Sequence, residues 1–290
     1  LALVRDIHGE RRGKKGAIRS NREKLLFLMI FMMKGVDVLE PLVGRFIRTR
    51  SHIEERARAF ANLFHDVLVQ AAVRFFDEIH PAAPGAALVV DCTVCEIPRP
   101  SLPFKKAIKF FSGKHNIYCL KKEVCVNVRS GTAALITPEF TGSTHDIVLL
   151  RSHIDEVRRL LGQKTILGDL GYRGVQHELP NLIVCREEDG ALHERRGLVE
   201  RFFGRLKTLF IVFSTVWTMK EEFFDTFFDI AAALTNIDIL NRPLQETDAD
   251  FNRGVHALVL VNQQNRNVAR QRANQRYHER RRERLGILEE

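Results

Sequence analysis

The chain reads in two hydrophobic patterns, separated by a proline-rich break. Residues 22–79 read as helical. "REKLLFLMIFMMKG" is an apolar helix stopped at Gly35, and a short helix follows from about Pro41, a residue favoured at a first helical position. "TRSHIEERARAF" then offers Ser51 followed three residues later by Glu54, the pattern of a capping box, and opens a long helix expected to run to about Ile79. "HPAAPGAA" is a linker.

Strand signals begin directly after it. "ALVVDCTVCEI" is apolar and β-branched, as in a buried strand. "HNIYCLKKEVCVNV" and "TAALITPEF" are two more candidates, joined by a hairpin-like turn at Ser130-Gly131. "STHDIVLLRSHIDEVRRLL" returns to helical spacing. "KTILGDLGYRG" is a short strand ending in glycine turns, and "NLIVCRE" is another strand. In "RRGLVERFFGRLKTLF", Val199, Phe202, Phe203, Leu206 and Phe210 recur at helical spacing, with Glu200 at the edge of that apolar face. "EEFFDTFFDIAAALTNIDIL" is a last core-facing helix. The order is helices, then β-β-β-α-β-β-α-α: an α/β domain with a mixed sheet behind an all-α segment that resembles a helix-turn-helix, with a plain helical bundle as the alternative.

Charge changes this picture at the ends. The net +9 is concentrated there: residues 1–24 carry eight Lys/Arg against three Asp/Glu, residues 266–290 carry eight Arg against four Glu, and the stretch between is balanced. Basic arms that bind polyanions have this layout, as do solubilising tails. Arg272, Arg276, Arg280 and Arg284 recur every four residues, so a helix there carries an arginine stripe. The longest apolar run, Leu25 to Met33, is too short to span a membrane, and the charged stretch ahead of it does not read as a signal peptide. The chain starts at Leu1 rather than Met, as a piece of a longer protein would. Five cysteines without a regular framework point to a reducing compartment. Cys92 and Cys95 form one C-x-x-C with no partner pair at zinc-finger spacing, so two packed strand thiols are expected rather than a zinc site.

Three acidic residues lie among apolar or glycine-rich neighbours: Asp91 inside the first strand, Asp169 at a strand end, and Glu200 on its helix. Acids rarely occupy buried-strand sequence unless paired or binding a cation. Singly, each has a plain account: Asp91 caps a turn, Asp169 starts a loop, Glu200 pairs with Arg196. Together they are candidates to converge at adjacent strand ends as hard oxygen ligands, a set that suits Mg²⁺ or Mn²⁺ and in-line phosphoryl transfer.

The blocks "VVDCTVCEIPRP", "FSGKHNIYCLKKEVCVNV", "FTGSTHDIVLLRS", "ILGDLGYRG" and "RRGLVERFFGRLKTLF" resemble, in that order, those of the DDE superfamily endonucleases, and more narrowly the PIF/Harbinger transposases and their domesticated descendants. The resemblance covers about residues 86–242. It implies an RNase H-like mixed-sheet catalytic domain, with Asp91, Asp169 and Glu200 as catalytic carboxylates and ligands of Mg²⁺ or Mn²⁺. His145 and Asp146 match an H-D pair in a supporting role, and Lys121 matches a basic strand position.

The expected layout is a basic N-terminal arm (1–21), a helical, helix-turn-helix-like domain (22–80), an RNase H-like DDE nuclease domain (86–245) and an Arg-rich C-terminal arm (246–290). The expected function is cleavage of DNA at transposon ends and joining of the freed 3′-hydroxyl to target DNA. The rivals are a non-catalytic DNA- or chromatin-binding protein on the same fold and an RNase H-like nuclease outside transposition. The expected setting is the nucleus, with DNA as partner, a homo-oligomer on that DNA, a separate Myb-like DNA-binding partner protein, and no membrane.

One departure from the family pattern stands out. The stretch after the first strand has no acid between Glu96 and Glu123, and it carries Arg99, Lys105, Lys106, Lys109, Lys114, Lys121 and Lys122. These are candidates for a phosphate-contacting rim, with a solvated loop as the alternative. Arg272, Arg276 and Arg280 are the matching candidates in the C-terminal arm.

Overall fold

The computed structural model describes residues 20–35, 49–75 and 85–254, together with 261, 264, 268, 271–272 and 275–280. Helix α1 (Asn21–Lys34) starts in a capping box. The Ser20 hydroxyl accepts the Glu23 amide at 3.2 Å, and the Glu23 carboxylate accepts the Ser20 amide at 3.0 Å. The helix stops at Gly35, as its sequence predicts. Helix α2 (Arg50–Ala72) corrects two expectations. Its cap is Thr49, whose hydroxyl accepts the His52 amide, so Ser51 lies inside the first turn and Glu54 pairs with Arg50 at 3.2 Å. The helix also ends at Ala72 rather than near Ile79. The short helix expected from Pro41 falls outside the described residues.

Strand β1 (Ala86–Glu96) takes in the last alanines of the expected linker, both fully buried. A short helical turn, α3 (Phe104–Ala107), leads to β2 (Phe111–Ser112), then β3 (Ile117–Asn127), β4 (Ala133–Ile136) and β5 (Phe140–Thr141). The stretch read as one helix divides at His153 into α4 (Asp146–Ser152) and α5 (Ile154–Leu161). Then come β6 (Thr165–Gly168), β7 (Leu182–Val184), α6 (Ala191–Leu209) and α7 (Phe224–Asn241).

The sheet runs β2-β3-β1-β6-β7, with β4 and β5 also paired to β3. β3 is antiparallel to β1, whereas β6 and β7 run parallel to β1 and to each other. Such a mixed sheet has to be covered on both faces, and alternation along the strands supplies the two faces. Val89, Val124, Val126 and Leu167 face a core shared with α6, α7, α1 and α2. Leu88, Val90, Cys125 and Ile166 face a second core under α4 and α5.

Helix α6 lies on the first face through Val199, Phe202, Phe203 and Leu206, all buried as its spacing predicts. The Lys207 ammonium donates to the Val94 carbonyl at 2.8 Å and ties the helix along β1. Beyond α6, Phe213 and Trp217 stack at 5.7 Å, and Phe224, Phe227 and Phe228 close around them, fixing α7 against α6. α2 joins the same core through its Ile53, Ala57, Ala61, Phe64 and Leu68 stripe, and α1 through Phe31 against Phe227.

Candidate active site

β1 and β6 place two carboxylates side by side. Their parallel register pairs Leu88 with Ile166 and Val89 with Leu167. Two residues further on, the same alignment brings Asp91 opposite Asp169, where the chain leaves β6. The Asp91 Oδ1 accepts its neighbour's amide, Cys92 N–H, at 2.7 Å. Asp169 caps the turn Leu170–Tyr172, its Oδ1 accepting Gly171 N–H at 2.9 Å. A third acid joins them from the start of α4. A methyl group at Gly171 would lie 2.9 Å from Asp169 Oδ1 and 3.3 Å from Asp146 Oδ2, so both oxygens crowd the same point.

The crowding has an electrostatic signature. Burial pushes the Asp91 carboxyl up to about 7, and the negative charges of Asp169 and Asp146 push the same way; the Cys92 amide and Arg196 partly oppose them. Asp146 is itself restrained by Lys121, whose ammonium donates to Asp146 Oδ1 at 3.1 Å and to the Thr144 carbonyl at 2.7 Å.

Glu200 is placed differently. It is exposed on α6, and its Oε1 accepts from Arg196 Nη2 at 2.5 Å, one helical turn away. The same guanidinium reaches Asp91 Oδ2 at 3.9 Å. Arg196 therefore links Glu200 to Asp91, and the plain pairing open to Glu200 in the sequence is present. Among the described residues no group of three His, Cys, Asp or Glu side chains is arranged to hold a metal ion. The chemistry of Asp91, Asp169 and Asp146 nonetheless fits a hard divalent cation: the donors are carboxylate oxygens, and their mutual repulsion is what a cation relieves.

Beneath this cluster lies a polar network that the sequence reading did not single out. Glu123, fully buried on β3, accepts the Tyr172 hydroxyl at 2.9 Å and meets His153 Nε2 at 2.9 Å. Cys92 Sγ lies 3.4 Å from the same Tyr172 oxygen. Burial raises Glu123, Tyr172 and Cys92 above their ordinary values. Tyr172 thus anchors the turn that carries Asp169 to β3. The signal was available: Glu123 is an acid inside apolar strand sequence, as Asp91 is. Cys92 and Cys95, three apart on one strand, lie on opposite faces of β1.

The remaining candidates divide by exposure. Arg99, Lys105, Lys106, Lys109 and Lys114 are exposed between β1 and β3. Lys121 and Lys122 are a correction to the expected rim. Lys121 is buried against Asp146, and Lys122, 1% exposed, binds Asp225 at 2.6 Å and Asp229 at 3.1 Å. Lys122 shares its face of β3 with Leu120 and Val124, so strand alternation turns it into the protein. His145 is exposed ahead of α4 and makes no side-chain cap bond. Arg272, Arg276 and Arg280 are exposed on helical segments, and Arg284 lies outside the described residues.

A family model described as DDE superfamily endonuclease matches residues 90–236, a stretch that contains all three candidate carboxylates. No curated protein and no solved structure matches the chain.

Proposed function

From its membership of the DDE superfamily endonucleases, to which this chain belongs, we propose that the protein is a metal-dependent, transposase-type DNA nuclease of the PIF/Harbinger kind. In this reading it cuts phosphodiester bonds at element ends and joins the 3′-hydroxyl to target DNA. The observation that carries the proposal is the pairing of Asp91 and Asp169 at adjacent parallel strand ends, with Asp91 held up to about 7 by burial and by neighbouring negative charge.

Asp91, Asp169 and Glu200 are the proposed ligands and catalytic carboxylates, with Asp146 in support. When bound, Mg²⁺ or Mn²⁺ supplies charge that activates the nucleophile and stabilises the leaving oxygen. The chain's own groups prepare for this. The Cys92 and Gly171 amides fix one oxygen each of Asp91 and Asp169, Lys121 restrains Asp146, and Arg196 bridges Glu200 to Asp91. An antiparallel β3-β1 pair continued by parallel β6 and β7 supports the RNase H-like reading. The helical segment 22–80 and the basic arms at 1–21 and 246–290 are then DNA-binding parts around the 86–245 nuclease domain. The protein would act in the nucleus as a homo-oligomer on DNA, with a Myb-like partner.

The test is nicking of labelled duplex in Mn²⁺ beside thermal melts with and without the ion. Asp169→Asn should abolish both cleavage and the ion-induced rise in Tm. An equal rise in that variant would overturn the site. One observation favours the second reading, a non-catalytic DNA-binding protein: Glu200 is engaged by Arg196 and exposed to solvent. An active parent in the nicking assay excludes it.

A further inference from the structure

The segment between β1 and β3 combines charge and apolar exposure in a way that phosphate binding alone does not require. Phe104 is 64% exposed, and Leu102 and Ile108 are exposed beside it. They alternate with exposed Lys105, Lys106 and Lys109. Residues 97–122 contain no acid, and among the described residues none of these three lysines, nor Arg99 or Lys114, has a carboxylate partner. A lone exposed apolar side chain is ordinary, but a phenylalanine and two aliphatics set into an unpaired basic surface are not.

The segment is also held in place. Pro98, Pro100 and Pro103 fix three φ angles. The Lys106 and Ala107 amides donate to the Pro103 carbonyl, at 2.8 and 3.0 Å. Ala107 is buried, and Phe110 packs on the main core. The Lys109 carbonyl accepts Ser143 N–H at 2.9 Å, and Gly142 fits against Phe110 and Cys119 where a larger residue would clash. Ser143 is followed by Thr144 and Asp146, the two groups that Lys121 binds. The basic turn is therefore fastened to the loop that presents Asp146 to the carboxylate cluster.

We propose that Phe104 is a stacking platform for an unpaired base, so that this rim selects DNA that is single-stranded or unstacked beside the carboxylates. A ring carried on a stiff turn stacks without the cost of ordering its backbone, and the surrounding lysines neutralise the flanking phosphates. The proposal rests on the DNA-nuclease reading above and names the form of DNA that the site takes.

The experiment is equilibrium binding by the full chain in EDTA, so cleavage plays no part. Two probes of equal length are compared, a plain duplex and a duplex with a four-nucleotide unpaired flap carrying 2-aminopurine. The parent should bind the flap more tightly and quench the fluorophore. Phe104→Ala should reduce that preference at least about fivefold and relieve the quenching, with an unchanged salt slope, while Phe104→Trp should keep both. Lys105→Ala/Lys106→Ala should weaken both probes and flatten the slope by roughly 0.9 for each phosphate no longer neutralised. A parent without preference, or a Phe104→Ala variant with the parent's preference and quenching, overturns the proposal and leaves the nuclease reading standing. A parent with no salt-dependent DNA binding overturns both. A Phe104→Ala variant that changes oligomeric state but not flap preference assigns the surface to a second copy of the chain and overturns it as well. With Phe104 exposed, its variants should melt with the parent, and a melt run beside each titration checks this.

Discussion

Arg196 meets Glu200 at 2.5 Å within one helix and Asp91 at 3.9 Å across to β1. One guanidinium thus serves as counter-charge to two of the three proposed ligands. Because Glu200 is largely solvated, its pair with Arg196 contributes little by itself; the larger effect lies at Asp91, which has few other cations near it. Arg196→Gln should therefore lower the stability of the metal-free protein by about 1 kcal/mol, in a denaturant melt with EDTA. The rise in Tm on adding Mn²⁺ should be larger in the variant than in the parent, because the ion no longer shares the carboxylates with a resident cation. An equal rise in the two proteins would show that Arg196 and the ion do not compete.

The packing of α2 on α7 is predicted to weaken as pH rises. His65 Nε2 lies 3.2 Å from Asp229 on α7, and Nδ1 lies 2.8 Å from Asp66 on its own helix. The hydrogen bond to Asp229 is the main cause that raises His65 above its ordinary 6.5, against some loss to burial. A histidine raised in the folded state adds stability that is full below 6.5 and is lost as pH climbs through the raised value. Other charges at this helix pair include Lys122 from β3, Asp225 from α7, Glu139, and Arg58 of α2, which lies over the Phe223 ring at the start of α7. Burial and the adjoining Asp225 push Glu139 up to about 7, so its contribution also falls as pH rises from 4.5 through about 7. In a Glu139→Gln background, the stability gap between His65 and His65→Gln should be about 1 kcal/mol near pH 6 and should close as pH rises further. A gap that is flat or widens with pH would contradict this account.

Tyr172 supplies a prediction about the support beneath the site. Its hydroxyl donates to Glu123 Oε1 at 2.9 Å in a fully buried setting. Tyr172→Phe keeps the ring and removes the donor, leaving a buried carboxyl with one partner fewer. The cost should be about 1–3 kcal/mol in a denaturant melt. In a double-mutant cycle with Glu123→Leu, which removes the acceptor, the two losses should fall short of additive by about 0.5 kcal/mol or more, as they do for directly bonded groups. Full additivity would mean that the hydroxyl acts elsewhere.

The order of elements was legible because each strand is a compact apolar, β-branched run and each helix of the nuclease domain carries an apolar stripe. β2 and β5 escaped because two residues give no periodicity, and the break at His153 escaped because helical spacing continues across it. The Ser51 cap fails because Thr49, a hydroxyl residue two positions earlier, accepts the His52 amide and starts the helix ahead of it. Asp91 and Asp169 were found by asking why an acid sits in strand sequence. The same question put to "CLKKEVCV" would have found Glu123 and turned Lys122 inward, since alternate residues Leu120, Lys122 and Val124 share one face. What no spacing could reveal is the direction of Glu200, because a carboxylate at the edge of a helix can reach its own helix as easily as a neighbouring strand.

A residue with no side chain, Gly171, sits at the centre of the cluster. Asp169 Oδ1 and Asp146 Oδ2 both approach the position that a Cβ of Gly171 would fill, at 2.9 and 3.3 Å. The first is closer than real Cβ atoms allow, and the oxygen cannot simply swing aside, because it is held by the Gly171 amide. Gly171→Ala therefore has to move one carboxylate or both. The backbone at Gly171 lies outside the left-handed region, so alanine itself is not strained there. Stability measured in EDTA should fall by only about 1 kcal/mol, since moving Asp169 breaks its bond to the Gly171 amide while the added methyl partly offsets the loss by removing backbone freedom from the unfolded chain. Metal-dependent behaviour should change far more. Ligand oxygens must be held to within about 0.5 Å for a productive site, so the Mn²⁺-induced rise in Tm should shrink and nicking should drop roughly 100-fold. Gly190→Ala is the control: glycine sits there at φ 54° with open space around it, so alanine is strained in backbone and touches no carboxylate. That variant should lose stability and keep the Mn²⁺ response. If Gly171→Ala binds the ion and cuts like the parent, Asp146 and Asp169 do not act at one point, and Asp146 drops out of the site.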